Sequence, residues 1–412
     1  MYPKVLIAFF VQLRLASRNL FRQRRRTALA LSTVAGGVIA LLLAGGFFNW
    51  VLVSIREATI LSQLGHLQIT RPGYFDQGIS SPYDYLLPAK IPAEAESLDG
   101  VRTVAPRIAF TGLISKGDQT ISFMGEGVDP VKEAPIAAAI TLTKGKDLAD
   151  SPHRSVIIGQ GLAANLGVDV GDTVVLLGST VSGGLGAVEL KVAGLFATVS
   201  KAYDDSSLRV PVDIARDMIR VKGATSWVVL LSDTADTDAT MTAMRALLPG
   251  SEFEITPWYQ LADFYNKTVE LFSKQVGVIR ALIALIVVLS ISNTLSMAVM
   301  ERTHEIGTSM AIGVRRRGIL TLFLAEGMLL GLLGGVIGVV LGLALGELIS
   351  FIGIPMPPPP GMAFGYMGQI RISPGLTLDG FVLAFSTTLL ASIVPAWKAS
   401  RMNIVDALRN QK

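Results

Sequence analysis

Four apolar stretches dominate this chain, and each is long enough to cross a bilayer. They occupy residues 27–54, 281–300, roughly 319–349 and about 376–394, the last ending at Pro395. About 20 apolar residues in a helix span the ~30 Å hydrocarbon core, and hydrocarbon requires every backbone polar group to be satisfied within the segment, so such runs fold as helices. Half of the residues are hydrophobic, mean hydropathy is +0.52 and only 17% of residues are charged. That is too apolar for a soluble protein and too polar for a bundle filling the whole length. The expected architecture is a membrane protein with four transmembrane α-helices and one large water-facing domain between residues 56 and 275.

Charge assigns the sides. Lys4, Arg14, Arg18, Arg22 and Arg24 to Arg26 precede the first span; Arg302 and Arg315 to Arg317 lie between the second and third; Lys398, Arg401, Arg409 and Lys412 follow the fourth. The 351–375 loop carries only Arg371, and its PMPPPP run reads as stiff extended chain. The positive-inside rule puts both termini and the 301–318 loop in the cytoplasm, and residues 56–275 with the 351–375 loop outside. Val5–Phe21 mixes large apolar residues with spaced arginines, as an interfacial amphipathic helix within a cytoplasmic segment 1–26 would. The apolar run behind it is too long and starts too late for a cleaved signal peptide. The net charge of +4 is explained by orientation, and no nucleic-acid partner is expected.

The external part reads as α+β. Short β-rich runs at 66–70, 155–159, 172–177 and 226–231 are divided by Gly, Pro and Asp turns, and helical stretches intervene at Gln160–Leu166, Val212–Val221 and Thr237–Leu248. Residues 112–205 read as an inserted subdomain. The segment before the second span repeats apolar residues in threes and fours, with the i,i+4 pairs Asp263–Lys267 and Glu270–Lys274. The first span likewise runs on through Val51, Leu52, Ile55 and Ile60, so the domain is expected to stand on a two-helix stalk.

Several chemistries are excluded by the residues. The chain has no cysteine, which removes disulfides, thiol catalysis and cysteine zinc sites. His304-Glu305 begins a HExxH pattern whose second histidine position is Thr308, and His66 and His153 lie on the other side of the membrane, so no metal site is expected. Gly145-Lys146 is followed by Asp147 and lacks the upstream glycine of a phosphate-binding loop. The chain is read as a non-enzyme without a cofactor of its own.

Three features of the spans point to function. In the third, Gly334, Gly338, Gly342 and Gly346 fall every fourth residue, with Gly327, Gly331 and Gly335 as an offset row. Such ladders allow close helix packing, within the bundle or across a dimer. In the second, Ser290, Ser292, Asn293, Thr294 and Ser296 need partners, from neighbouring helices or from substrate, and Glu326 in the third is expected to pair with a cytoplasmic-side arginine. Between them, ERTHEIGTSMAIGVRRR places Met300, Ile306, Met310 and Val314 on one side, with acids early and arginines late as the helix dipole favours. An amphipathic helix parallel to the membrane at 301–318 is a docking knob.

This segment, with Asn293 eight residues before Glu301-Arg302-Thr303, then Glu305-Ile306-Gly307 and Ala311-Ile312-Gly313, resembles the coupling region of the MacB/FtsX/LolC–LolE family of ABC transporter permeases. The text IIGQGLAANLGVDVGDTVVLL (157–177) with LRVPVDIARDMI (208–219) is similar to that family's periplasmic domain, and PAWKASRMNIVDALR (395–409) to its C-terminal signature. The resemblance covers essentially the whole chain. It implies a type VII permease in the bacterial inner membrane, working as a homo- or heterodimer with a second permease chain and two copies of a separate cytoplasmic ATPase that carries ATP and Mg. ATPase closure would move the stalk and act on a lipoprotein, lipid or other periplasmic substrate, with a periplasmic adaptor or carrier as a further partner. Glu301, Arg302, Thr303, Glu305, Ile306, Gly307, Ala311 and Gly313 would form the ATPase joint, Gly307 and Gly313 by allowing close backbone approach. Lipoprotein release is preferred because no ATPase is fused, MacB-like drug or peptide efflux is the alternative, and an FtsX-like scaffold activating a cell-wall hydrolase is a second one.

Overall fold

The computed structural model describes residues 2–78, 81–198, 200–356, 366–404 and 407, with residues 2–11 as backbone only. It divides into two compact units, one of Met1–Val51, Val269–Pro355 and Met367–Lys412, the other centred on Leu52–Thr268. In chain order the long helices are α1 (Tyr2–Arg22) and α2 (Arg24–Thr59), then α3 (Gln160–Leu166), α4 (Val212–Ile219) and α5 (Thr237–Leu247) in the second unit. They are followed by α6 (Asp263–Glu301), α7 (Thr303–Ala311), α8 (Arg316–Ile352) and α9 (Pro374–Ser400). Among the described residues, four helices are long and apolar enough to cross a membrane: α2 with its continuation to Leu64, α6, α8 and α9.

The helical unit is assembled around glycine. A Cβ at Gly334, Gly338 or Gly342 would fall 2.8, 2.6 and 2.8 Å from Val34, Val38 and Leu42 of α2, and one at Gly346 2.9 Å from Ile372. The offset row faces α9, where Gly327 meets Ser392, Gly331 meets Thr388 and Gly335 meets Phe381. Both rows are therefore used inside one chain, and the cross-dimer reading of the Gly334 to Gly346 ladder does not hold. Helix α9 starts cleanly, with Pro374 at its first position and the Ser373 hydroxyl accepting from the Leu376 N–H at 3.2 Å. It does not stop at Pro395 as expected but runs to Ser400. Pro395 forgoes one hydrogen bond, and burial of Ala396 and Ala399 with Phe323 and Ile319 outweighs that loss. The last four prolines of the PMPPPP run (residues 357–360), and most of the tail after Ile404, lie outside the described residues.

The second unit is built on one mixed sheet of ten strands: β1 (Leu67–Thr70), β2 (Val101–Lys116), β3 (Gln119–Val128), β4 (Thr141–Gly145), β5 (Ser155–Gly159), β6 (Thr173–Ser179), β7 (Leu185–Ala197), β8 (Ser207–Pro211), β9 (Ser226–Leu231) and β10 (Glu254–Pro257). The order is β10-β1-β9-β2-β3-β8-β5-β7-β4, with β6 pairing β2 and β7. Two cores lie along it. Trp227, Leu67, Val104 and Met244 anchor one, while Ile108, Phe110, Val156, Leu176 and Leu208 anchor the other under α3 and α4. The insertion boundary placed at residue 112 falls inside β2, whose first half pairs with β9 and second half with β6. That 16-residue strand carries the sheet from one core to the next, so residues 112–205 are not a separable layer.

Candidate functional site

The coupling segment is shorter than its sequence pattern. Only Thr303–Ala311 is helical, and a turn at residues 312–315 precedes α8. The cause is Gly313, which adopts φ +109°. Its N–H bonds the Met310 carbonyl at 3.1 Å and the Val314 N–H bonds the Ser309 carbonyl at 3.0 Å, the paired pattern that ends a helix on a glycine. Among the described residues no atom lies within 4 Å of a Cβ built on Gly313, so within the chain it is the turn that requires this glycine. Ile306, Gly307 and Met310 are buried, packing with Phe323 and Ala399, while Met300 and Val314, placed on the same apolar side by the sequence, are 75% and 44% exposed. Thr303 is half-buried and its hydroxyl donates back to the Met300 carbonyl at 2.8 Å.

The charged residues of the segment are engaged within the chain. Glu301 accepts from Arg26 at 2.7 Å and from Gln23 at 3.3 Å, and Glu305 pairs with Arg22 at 3.0 Å. Arg302 reaches the other way, donating to Glu326 at 2.9 Å and to Glu305 at 3.4 Å, with its guanidinium 5.6 Å from the Phe323 ring centre. Glu326 is 3% exposed and also accepts from Asn19 at 2.7 Å. Within the chain, Glu301 ties the end of α6 to the start of α2, Glu305 ties α7 to α1, and Arg302 ties the junction of α6 and α7 to α8. What the segment leaves exposed is His304, Glu305, Ala311, Ile312, Gly313 and Val314, followed by Arg315 to Arg317. This is a small apolar tip on a strongly basic base.

In α6, Ser290 and Thr294 find partners inside the unit, Ser290 with Thr33 at 3.4 Å and Thr294 with the Ser290 carbonyl at 2.8 Å. Asn293 faces outward, and its carboxamide has no partner among the described residues. No cluster that could hold a metal occurs among the described residues.

Sequence reasoning missed Asn19, Arg22, Gln23 and Arg26 as partners of the segment. Their spacing along one helical face was visible, but positive charge beside a span is already explained by orientation, so nothing singled them out. It also missed a charged quartet in the sheet unit, Arg107, Glu133 and Arg209, which are buried, with Glu126, which is half-buried. The signal there was charge at positions inside strands, in VAPRIAF and SLRVP.

Residues 277–404 match the family described as FtsX-like permease C-terminal, and residues 27–247, more than half of the chain, match the MacB-like periplasmic core domain. The macrolide export ATP-binding/permease protein MacB of Hyphomonas neptunium is 28% identical over 416 residues, covering 97% of this chain. This chain spans 60% of the length of that relative. An uncharacterized ABC transporter permease of Methanocaldococcus jannaschii is 23% identical over 411 residues, 96% of this chain and 97% of its own. The lipoprotein-releasing system transmembrane protein LolC of Neisseria meningitidis is 24% identical over 317 residues, 74% of this chain and 73% of its own. With four membrane-length helices, a mixed α+β domain between the first two and both family regions in register with them, the chain belongs to the MacB/FtsX family of ABC transporter permeases.

Proposed function

We propose that this permease couples ATP hydrolysis on a separate cytoplasmic ATPase to a conformational change in its periplasmic domain, which extracts or expels a lipoprotein, lipid or other periplasmic substrate. The observation that carries this reading is α7, a nine-residue helix inserted between two membrane-length helices, with Glu301, Arg302 and Glu305 at its start in charge contact with α2, α8 and α1. A brace of that kind lets a load on the exposed tip reach α1, α2 and α8 together. The tip, Ile312 and Val314 above Arg315 to Arg317, fits an apolar pocket with an acidic rim on the ATPase. Glu301, Arg302 and Glu305 hold the tip in place rather than entering the pocket. Both termini then lie in the cytoplasm, at the bacterial inner membrane, and the ATP and Mg belong to the ATPase. The exposed Asn293 faces the second permease chain, since a carboxamide in hydrocarbon needs a partner.

The test is retrieval of the tagged chain from its native membrane in mild detergent, with retained proteins identified by mass spectrometry. An ATP-binding subunit with lipoproteins or a periplasmic carrier supports lipoprotein release. An ATPase with an adaptor and an outer-membrane channel supports export of the MacB kind. Intact chain without any ATPase overturns the proposal. Ile312→Asp should release the ATPase while leaving the chain folded, because residue 312 is 81% exposed.

A further inference from the structure

Helix α2 does not simply end where the sheet domain begins. After Thr59 it widens into a π-helical turn, Ile60–Leu64, closed by Gly65 at φ +64°. A side chain at residue 65 would strike Val228 at 2.4 Å, so the chain can turn into β1 only through glycine. The last carbonyls of a helix have no partners within it. Here each of the final five has one. The Ile60 carbonyl accepts from the Gly65 N–H at 2.9 Å, Leu61 from the Ala139 N–H at 2.9 Å, Ser62 from Arg209 at 2.8 Å and Leu64 from the Gln68 side chain at 3.1 Å. The Gln63 carbonyl accepts from Arg107.

The two arginines are the unusual members of this set. Arg209 is 1% exposed and Arg107 5%. Arg209 stands on β8 and donates from Nε to Glu126 of β3 at 2.9 Å, while Arg107 stands on β2 and grips Glu133 with both Nε and Nη2. Tyr203 adds a hydrogen bond to Glu126 at 3.0 Å. Register places Ala109 opposite Glu126 and Glu126 opposite Arg209, so Arg107, Glu126 and Arg209 lie on one face of three adjacent strands. Burial disfavours charge on Arg107, but Glu133 and Glu126 outweigh it and the guanidinium is held protonated. For Glu126 burial acts upward and Arg209 with Arg107 pull further downward, leaving the carboxyl below its ordinary range.

A largely buried quartet of charges is a poor way to gain stability, since apolar residues of similar size do as well or better. What it supplies is direction, because a guanidinium bonds in a fixed planar fork. We propose that Arg107 and Arg209 are positioning residues of a mechanical joint, each holding a carboxylate of the domain (Glu133 through Nε and Nη2 of Arg107, Glu126 through Nε of Arg209) and, with another nitrogen, a carbonyl in the turn that ends α2, so that a displacement of α2 is carried into β2, β3 and β8 as a unit. This rests on the proposed function in one respect, that α2 moves during the ATPase cycle.

The joint is tested on the full chain in lipid nanodiscs by hydrogen exchange. The variant Arg107→Met, Glu133→Leu, Arg209→Met and Glu126→Leu removes the charges in pairs and leaves no buried ion unmatched. Loss of two charge-assisted caps should speed exchange of the amides at 60–66 by at least about tenfold, while β5 and β9 keep wild-type protection. Unchanged protection at 60–66 overturns the proposal. Arg209→Lys, which keeps the charge and loses the fork, should give an intermediate acceleration even if the quadruple variant fails to fold; wild-type exchange in it overturns the fork argument. A second comparison uses the complex retrieved with its ATPase, with and without ATP and vanadate. Wild type should show nucleotide-dependent exchange in α2 and in β2, β3 and β8, and the quadruple variant in α2 alone. A strand response that survives in the variant refutes the joint. If α2 of wild type does not respond, the proposed function fails, and the nanodisc result still decides on the joint.

Discussion

Removing Glu326 should destabilise the helical unit through the arginine it leaves behind. Its carboxylate takes hydrogen bonds from Asn19 at 2.7 Å and Arg302 at 2.9 Å, on a side chain 4% exposed. Breaking a buried ion pair costs about 3–5 kcal/mol, mostly as an uncompensated charge. The Arg302 side chain is 16% exposed and keeps Glu305 at 3.4 Å, which places Glu326→Ala at the lower end, about 3 kcal/mol. Arg302→Met should cost about as much, because it strands the carboxylate with Asn19 alone. The pair Arg302→Met with Glu326→Leu leaves no buried charge and should return to within about 1 kcal/mol of wild type. The double-mutant cycle then gives a coupling of several kcal/mol, against about 0.5 kcal/mol for independent sites. The assay is equilibrium unfolding of the full chain under steric trapping in bicelles. A double variant as unstable as the two singles added together would refute the argument and show that the pair is incidental.

Other expectations follow from the same contacts. Gly338→Val drives a Cβ to 2.6 Å from Val38 and 2.9 Å from the Ala35 carbonyl, and should lower stability by about 1–3 kcal/mol or more in the same assay. Gly277→Ala, with nothing within 4 Å, should raise it by about 0.5–1 kcal/mol; equal effects at the two sites would count against intrachain packing of the ladder. Gly313→Ala forces a side chain into φ +109°, costs on the order of 1–3 kcal/mol and should speed exchange at the Val314 amide. His66 is buried, accepts from the Leu231 N–H at Nδ1 and bonds Thr234 through Nε2. Burial lowers its pKa below 6.5, with Glu57 and Asp233 opposing and Arg56 assisting. The folded state therefore resists protonation, so this contribution is complete above pH 6.5 and is lost as pH falls below it. Melting of the full chain between pH 8 and about pH 5 should show a slope that His66→Gln flattens; an unchanged slope would assign it elsewhere.

Elements set by periodicity were legible, and elements set by long-range charge were not. SVIIG and SWVVLL read as strands because alternating or continuous β-branched runs bounded by Gly and Asp have few other uses. QGLAANLG read as a helix with its stop included. The glycine ladder announced close packing, but a ladder states only that something comes near, and the identity of Val34, Val38 and Leu42 as that something depends on how α2 returns against α8. Pro395 misled because a proline is a local rule, and the burial of Ala396 and Ala399 that overrides it is a tertiary fact. The ends of α7 misled for the opposite reason. Amphipathic spacing continues past Ala311, whereas the chain direction changes at Gly313, and a glycine at a helix end looks in sequence like a glycine at an interface.

The two ends of α2 share a design that neither end reveals alone. Near its start Arg26 holds Glu301, and after its last turn Arg209 and Arg107 hold the carbonyls of Ser62 and Gln63. Between them, Val34, Val38 and Leu42 meet the smooth glycine face of α8. Charge-assisted bonds are directional and short-ranged, so a held end resists displacement in every direction. Apolar contact against glycine has no such directionality, and its strength comes from how closely Val34, Val38 and Leu42 seat against the glycine backbone. If α2 moves during the ATPase cycle as proposed, directional bonds at each of its ends are what would carry that motion to the groups they hold. That division of labour follows from which residue types contact α2 at each level. It is also why substitutions at the two arginine clusters should affect coupling, whereas substitutions along the ladder should affect assembly.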